Sequence, residues 1–280
     1  MAGTASGGAR RNRLAPYLLV APGILWLLVF FVAPTITLAQ TSLTGAEGGW
    51  PAYHKALTSY GTHFFRSFRY ALAATLLALA MGYPLAYFIA FRAGKLKNLL
   101  LGLVVLPFFT TFLVRTFAWK TILNDGGPAV WLLQRLHVLD AGGRLLDTTV
   151  AVIGGLTYNF LPFMILPIYV SLEKIDRRLV EAAEDLYSTP AAAFRKVVLP
   201  LSLPGVFAGS LLTFIPAAGD FINAQLLGSP NQQMIVTVIQ NQFLEVRDYP
   251  LAASLSFVLM AVITLGVLAY ARALGTEDLA

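Results

Sequence analysis

Long apolar runs alternate along this chain with short polar segments, and each run has the length of a membrane span. Six are read, at about residues 14–40, 66–91, 98–123, 148–171, 204–227 and 250–272. Runs of ~20 residues or more let a helix cross a hydrocarbon core of ~30 Å. None alternates with the two-residue period of a strand, and in a bilayer only helices or closed barrels satisfy their own backbone. The expected fold is therefore all-α, a polytopic membrane protein with six transmembrane helices. Arg115 and Lys120 fall in the third run and are expected at its outer end. The fourth and fifth runs are rich in Pro and Gly, which membrane helices tolerate when neighbours re-satisfy the backbone.

The polar segments give an orientation. Arg10, Arg11 and Arg13 precede the first span; Arg92, Lys95 and Lys97 follow the second; Lys174, Arg177, Arg178, Arg195 and Lys196 follow the fourth; Arg272 closes the sixth. With six spans these segments share one face, which the positive-inside rule makes cytoplasmic, with both termini there. The opposite face holds loops at 41–65, 124–147 and 228–249. The first run resembles a signal peptide at its start but is too long for one, so it is read as a retained span. The organisation expected is a basic tail at 1–13, a membrane domain at 14–272 and a cytoplasmic tail at 273–280. Trp26, Trp50, Trp119 and Trp131 read equally well as interfacial anchors or as packing residues.

Composition agrees with this and removes several functions. Hydrophobic residues make up 57% of the chain and charged residues 12%, about half the charge of a soluble domain. The net charge of +6 reports topology first and carries no argument for nucleic acid. The 280 residues include no cysteine, which excludes disulfides and thiolate chemistry. There is no G-x-x-x-x-G-K-[ST] phosphate loop, and His54, His63 and His137 lack metal-type spacing. No catalytic and no metal site is read.

One polar segment is unlike a plain connector. Residues 181–206, EAAEDLYSTPAAAFRKVVLPLSLPGV, set a charged, alanine-rich stretch between apolar runs. As a helix, Glu173 to Thr189 mixes Asp176, Arg177, Glu184 and Asp185 with Ile175, Leu179, Val180 and Leu186. Thr189 is a natural N-cap and Pro190 a natural first residue for a second helix. Such a surface suits docking to a soluble partner. The pattern Glu181-Ala182-Ala183, then Glu184, Asp185 and Leu186, a special position, and finally Leu199-Pro200 resembles the EAA loop of ABC importer permeases of the type I architecture. That family favours glycine where this chain has Tyr187. The resemblance implies that Glu181, Ala182, Ala183, Glu184, Asp185, Tyr187 and Pro200, in a coupling loop at about 172–203, transmit motion from two ATP-binding cassette subunits. ATP and Mg would then belong to those subunits and no cofactor to this chain. Further partners implied are a second homologous permease, an extracytoplasmic solute-binding protein and the lipid of a bacterial inner membrane.

Three further stretches resemble the first permease subunit of spermidine/putrescine importers: residues 106–127, 158–176 and 213–230. Permeases for ferric iron, sulfate, opines or phosphonates share much of this scaffold. A polyamine needs carboxylates for its ammonium groups and ring faces for its stem. Asp220 is the one acid read inside a span, about 24 Å past Pro204 along a helix. An acid at such depth faces a cavity or a partner. Two readings stand for it: a substrate-path carboxylate, or one half of an ion pair with Arg115, Lys120 or the second permease. Tyr158, Phe160, Phe214 and Phe221 are ring candidates for which packing is the favoured reading, and Asn159, Asn223 and Gln225 are candidate polar lining. A stand-alone ion-coupled carrier is the rival class. It calls for several intramembrane acids or paired broken helices, and no internal repeat is read.

Overall fold

The computed structural model describes residues 15–44, 48–140, 142–187 and 189–273. The tails carrying Arg10, Arg11, Arg13 and residues 274–280 lie outside the described residues, as do the side chains of Arg177, Glu184 and Tyr187. The chain is all-helical among the described residues. We number α1 Leu19–Leu43, α2 Trp50–Ser59, α3 Gly61–Arg92, α4 Gly94–Phe109, α5 Phe112–Leu123, α6 Pro128–Arg135, α7 Thr149–Glu173, α8 Arg177–Tyr187, α9 Pro190–Ala218, α10 Ile222–Leu227, α11 Ile235–Asn241 and α12 Tyr249–Ala273.

Five of these are long and apolar enough to cross a membrane: α1, α3, α7, α9 and α12. The bent pair formed by α4 with the helical stretch that starts at Phe112, turned by 96°, is apolar enough to make a sixth. This corrects the straight third span that hydropathy predicts at 98–123. Pro107 sits in a 3₁₀ turn at Leu106–Phe109, and the two β-branched residues Thr110 and Thr111 are extended, with ψ of 144° and 146°. The fifth span also differs. Its helix starts at Pro190 rather than 204 and ends at Ala218 rather than 227.

The core is built around α7. It packs along α3 on one side and α9 on another, and more than half of its apolar stretch is buried. Glycine permits this approach at two places. A Cβ on Gly205 of α9 would lie 2.5 Å from the Ser171 Cβ and 2.6 Å from the Pro167 carbonyl oxygen. On Gly155 of α7 it would meet Leu227 and Asn223 at 2.4 and 2.6 Å. Close backbone contact of this kind suits lipid, where helices gain no hydrophobic drive from meeting and rely on packing and polar bonds. Tyr83 of α3 and Ser202 of α9 share such a bond at 2.8 Å, and Tyr70 bonds Thr149 at 2.9 Å. At one end of the bundle Ala86, Ile168, Leu172, Ile175 and Val198 bury the base of α8. At the other, Phe64, Ile235, Leu251 and Leu255 gather α11 and α12.

Prolines shape two helices without ending them. A π-turn at Leu28–Val32 precedes Pro34, and another at Phe194–Val198 precedes Pro200. In each the closing bond skips five residues, Ala33 N–H to the Leu28 carbonyl and Leu199 N–H to the Phe194 carbonyl. Proline has no N–H and collides with the carbonyl four residues back, and a widened turn relieves both problems. Pro200 therefore lies within one unbroken helix.

Gly205→Leu is expected to force α9 off α7. Overpacking of this kind costs about 1–3 kcal/mol, so the purified protein should melt several degrees lower, while Gly102→Ala, with open space around it, should melt unchanged in the same detergent assay.

Candidate functional site

Two regions carry the residues singled out from the sequence. The first is α8. It begins at Arg177, not at Glu173, which instead closes α7. Asp176 starts it: its Oδ1 accepts the Arg178 N–H at 3.0 Å and its carbonyl accepts the Leu179 N–H at 3.0 Å. This carboxylate also favours the positive end of the helix. The helix is strongly amphipathic. Ala183 is buried and Val180 is packed into the core at the base of α7, while Glu181, Ala182 and Asp185 are exposed and Leu186 is 78% exposed. Exposed acids beside exposed leucines leave a face with no counterpart among the described residues.

Tyr187 is the last residue of α8 with a helical backbone, so no left-handed conformation is required where the family favours glycine. Two residues on, Thr189 caps the next helix as expected, its Oγ1 accepting the Ala192 N–H at 3.3 Å, with Pro190 in the first turn. From that cap α9 runs for 29 residues to Ala218. At 1.5 Å per residue it spans ~43 Å. One rod therefore joins the end of α8 to the second region.

That second region lies where α9 stops. Gly219 ends the helix, Asp220 follows, and α10 restarts at Ile222. Asp220 is thus in a break between helices rather than inside a span. It is 7% exposed. Its Oδ1 accepts the Asn223 backbone N–H at 2.7 Å and the Asn223 Nδ2 at 3.2 Å, closing the turn that begins α10. Its Oδ2 takes no hydrogen bond from the described residues. Asn159 of α7 continues the chain. Its Nδ2 donates to Asn223 Oδ1 at 3.2 Å and to Thr116 Oγ1 of α5 at 3.3 Å. Asn159 Oδ1 is enclosed and unpartnered among the described residues. A line of buried polar groups therefore runs Asp220–Asn223–Asn159–Thr116 and ties the break at 219–221 to α5, the helix that follows the break at 110–111.

Several expectations change here. Asp220 makes no ion pair with Arg115 or Lys120. Arg115 instead folds over Phe112 and Phe108, its guanidinium carbon 5.8 and 6.0 Å from the ring centres. Phe214 sits on the far side of α9, 6.1 Å from Phe68 and lining an apolar cleft with Leu76 and Tyr270. Phe160 is core, against Phe112 and Phe163. Tyr158 is half-buried, edge-on to Trp119 at 5.3 Å, and Phe221 is half-buried beside Asp220. Gln225 is exposed. Thr116 was missed because a lone threonine in an apolar run gives no signal; only α7 brings it to Asn159.

Comparison with known proteins follows this geometry. Residues 82–274 match the family described as binding-protein-dependent transport system inner membrane component. The spermidine/putrescine transport system permease protein PotB of Escherichia coli K12 is 38% identical over 257 residues, covering 89% of this chain and 94% of that protein. The inner membrane ABC transporter permease protein YdcU of the same organism is 34% identical, covering 76% and 71%. Among solved structures, a bacterial ABC transporter involved in the import of the acidic polysaccharide alginate superposes with a TM-score of 0.70 over 92% of this chain and 94% of its own, at 19% identity, which is a likeness of fold.

Asn223→Ala removes both the Nδ2 donor to Asp220 and the acceptor of Asn159. A buried polar group left without its partner costs about 1–3 kcal/mol. The expected result is a lower melting temperature in detergent, with Gln225→Ala, at an exposed position, melting as the parent does.

Proposed function

The chain belongs to the binding-protein-dependent transport system inner membrane components, and from that membership we propose that it is one of two permease subunits forming the pathway of an ATP-driven polyamine importer. The observation that carries the reading is the rod: α8, with its unpartnered acidic and apolar face, joins through the Thr189 cap to a single helix that ends at Asp220. Spermidine and putrescine are the cargo that the similar PotB proteins are named for. A carboxylate with a free oxygen and an enclosed amide oxygen on Asn159 suit the ammonium groups of such a chain. Tyr158 and Phe221 offer ring faces nearby for the methylene stem.

The mechanism follows from linkage. Two ATPase subunits seat on the α8 faces, one on each permease. If ATP binds better to the closed ATPase pair, closing is coupled to whichever arrangement of α8 fits that state. α9 carries the displacement to the break at 219–221 because its hydrogen-bonded backbone is stiff along its axis. The break supplies the compliance. Substrate delivered by an outer binding protein then meets Asp220 in one state and leaves toward the cytoplasm in the other. In this orientation the α8 end is cytoplasmic and the loops with α2, α6 and α11 are outward.

The test is ATP hydrolysis by the co-expressed, reconstituted complex with binding proteins loaded with spermidine, putrescine, sulfate or ferric iron. Stimulation by the polyamine-loaded protein alone is expected. Stimulation by another cargo would retain the importer and remove polyamines.

Two substitutions resolve the parts. Glu181→Ala with Asp185→Ala is expected to abolish uptake while the chain still inserts; unchanged uptake would end the coupling role of α8. Asp220→Asn is expected to weaken spermidine uptake roughly 10- to 100-fold, the worth of one charged hydrogen bond, with the complex intact by size-exclusion chromatography. Loss of the complex instead would make Asp220 structural.

A further inference from the structure

We propose that the elbow between α4 and α5 is a carboxylate site, and that the carboxylate is supplied by the second permease subunit. The proposal rests on the two-permease reading above and adds a partner contact that the reading does not contain. Three observations meet at the elbow. First, the backbone at Thr110 and Thr111 is extended, and both residues are exposed. Second, α5 starts there without a side-chain cap and without an acidic residue in its first turn. Its first N–H groups have no partner within the helix, and they present the positive end of its dipole. Third, Arg115, one turn further on, is 8% exposed, with Nε and Nη1 enclosed and unpartnered among the described residues. No carboxylate of the described residues pairs with it.

The guanidinium is aimed at the same place. It lies over Phe108, the ring before the break, and Phe112, the ring after it. Ring faces hold a cation but do not replace an anion for a charge withdrawn from water.

Depth decides what covers the elbow. Thr116 bonds Asn159, which lies about 21 Å along α7 from Glu173 at the α8 end. That is well inside a hydrocarbon core of ~30 Å. Extended backbone at such depth is tolerated only against protein or a water-filled cavity, never against lipid. Phe109, 84% exposed on the rim, and the exposed Leu113 and Phe117 make the surroundings apolar, which suits a helix neighbour better than open water. The cargo proposed above is a cation and is repelled by Arg115. An anion fixed on a protein neighbour meets all three demands: it covers the break, caps α5 and neutralises the guanidinium.

The experiment uses the assembled complex. Arg115→Glu is introduced and the amount of second permease that co-purifies is measured, together with spermidine uptake. Each acid in the spans of the second permease is then changed to lysine, singly, in the Arg115→Glu background. The expected result is a loss of co-purification of about tenfold or more, the scale of a buried charge pair broken and reversed, with recovery of assembly and uptake by one of the lysine changes. Rescue in trans also shows that the Arg115→Glu chain folds. Wild-type assembly and uptake of Arg115→Glu would overturn the proposal. So would loss with no rescue by any lysine. Sulfate-dependent stimulation of the parent complex, abolished by Arg115→Gln, would overturn it too, by making the anion a cargo, and would remove the polyamine reading as well. Rescue of assembly without any polyamine stimulation would retain the carboxylate contact and remove the polyamine reading alone.

Discussion

A backbone in hydrocarbon must satisfy its own hydrogen bonds, and the rest of this structure depends on that constraint. Four long helices, α1, α3, α7 and α9, meet it by running through prolines, two of them by widening into π-turns ahead of Pro34 and Pro200. The two real interruptions, at 110–111 and 219–221, are therefore the costly places. Among the described residues they are the only breaks within the apolar runs read at the outset, and a buried polar line runs from Asp220 through Asn223 and Asn159 to Thr116 of α5. Lipid would not permit either one exposed. The break at 219–221 is held by the Asn223 and Asn159 bonds of this chain.

The same constraint separates a stiff element from a compliant one. A helix of ~43 Å that stays hydrogen-bonded around Pro200, Pro204 and Pro216 is stiffer along its axis than the open break at its end. α8 is anchored by Ala183 and Val180 against the buried base of α7. Its exposed face is thereby fixed to the ends of α7 and α9. The compliance is at Gly219 and Asp220, where the ladder stops. Glycines 155 and 205 keep α7, α9 and α10 so close that the polar line cannot be lengthened without separating helices.

Much of this was legible along the chain. The all-helical fold and six apolar crossings follow from run length. The α8 segment follows from its charges, and the Thr189–Pro190 start of α9 from capping chemistry alone. The site was legible in part. Asp220, Asn159 and Asn223 stood out because polar groups in apolar runs are expensive, and the fold brings them within hydrogen-bond reach. Phe160 and Phe214 were indistinguishable from path residues because an aromatic ring is equally good core and equally good lining. Thr116 carried no signal at all. An ion pair of Asp220 with Arg115 or Lys120 was one of two readings, because opposite charges in one membrane domain attract; the chain instead spends Asp220 Oδ1 on Asn223 and lays Arg115 on its own rings.

By itself, the sequence determined which segments leave water and where the polar, capped α8 segment lies between them. These depend on hydropathy, capping and charge, which are local. Only the tertiary structure decided where the apolar runs break, which polar groups meet across helices, and which buried charges stay unpaired. Those outcomes depend on contacts between residues far apart along the chain. A proline or a threonine pair permits a bend without requiring one, and the packing of α7 against its neighbours makes the choice.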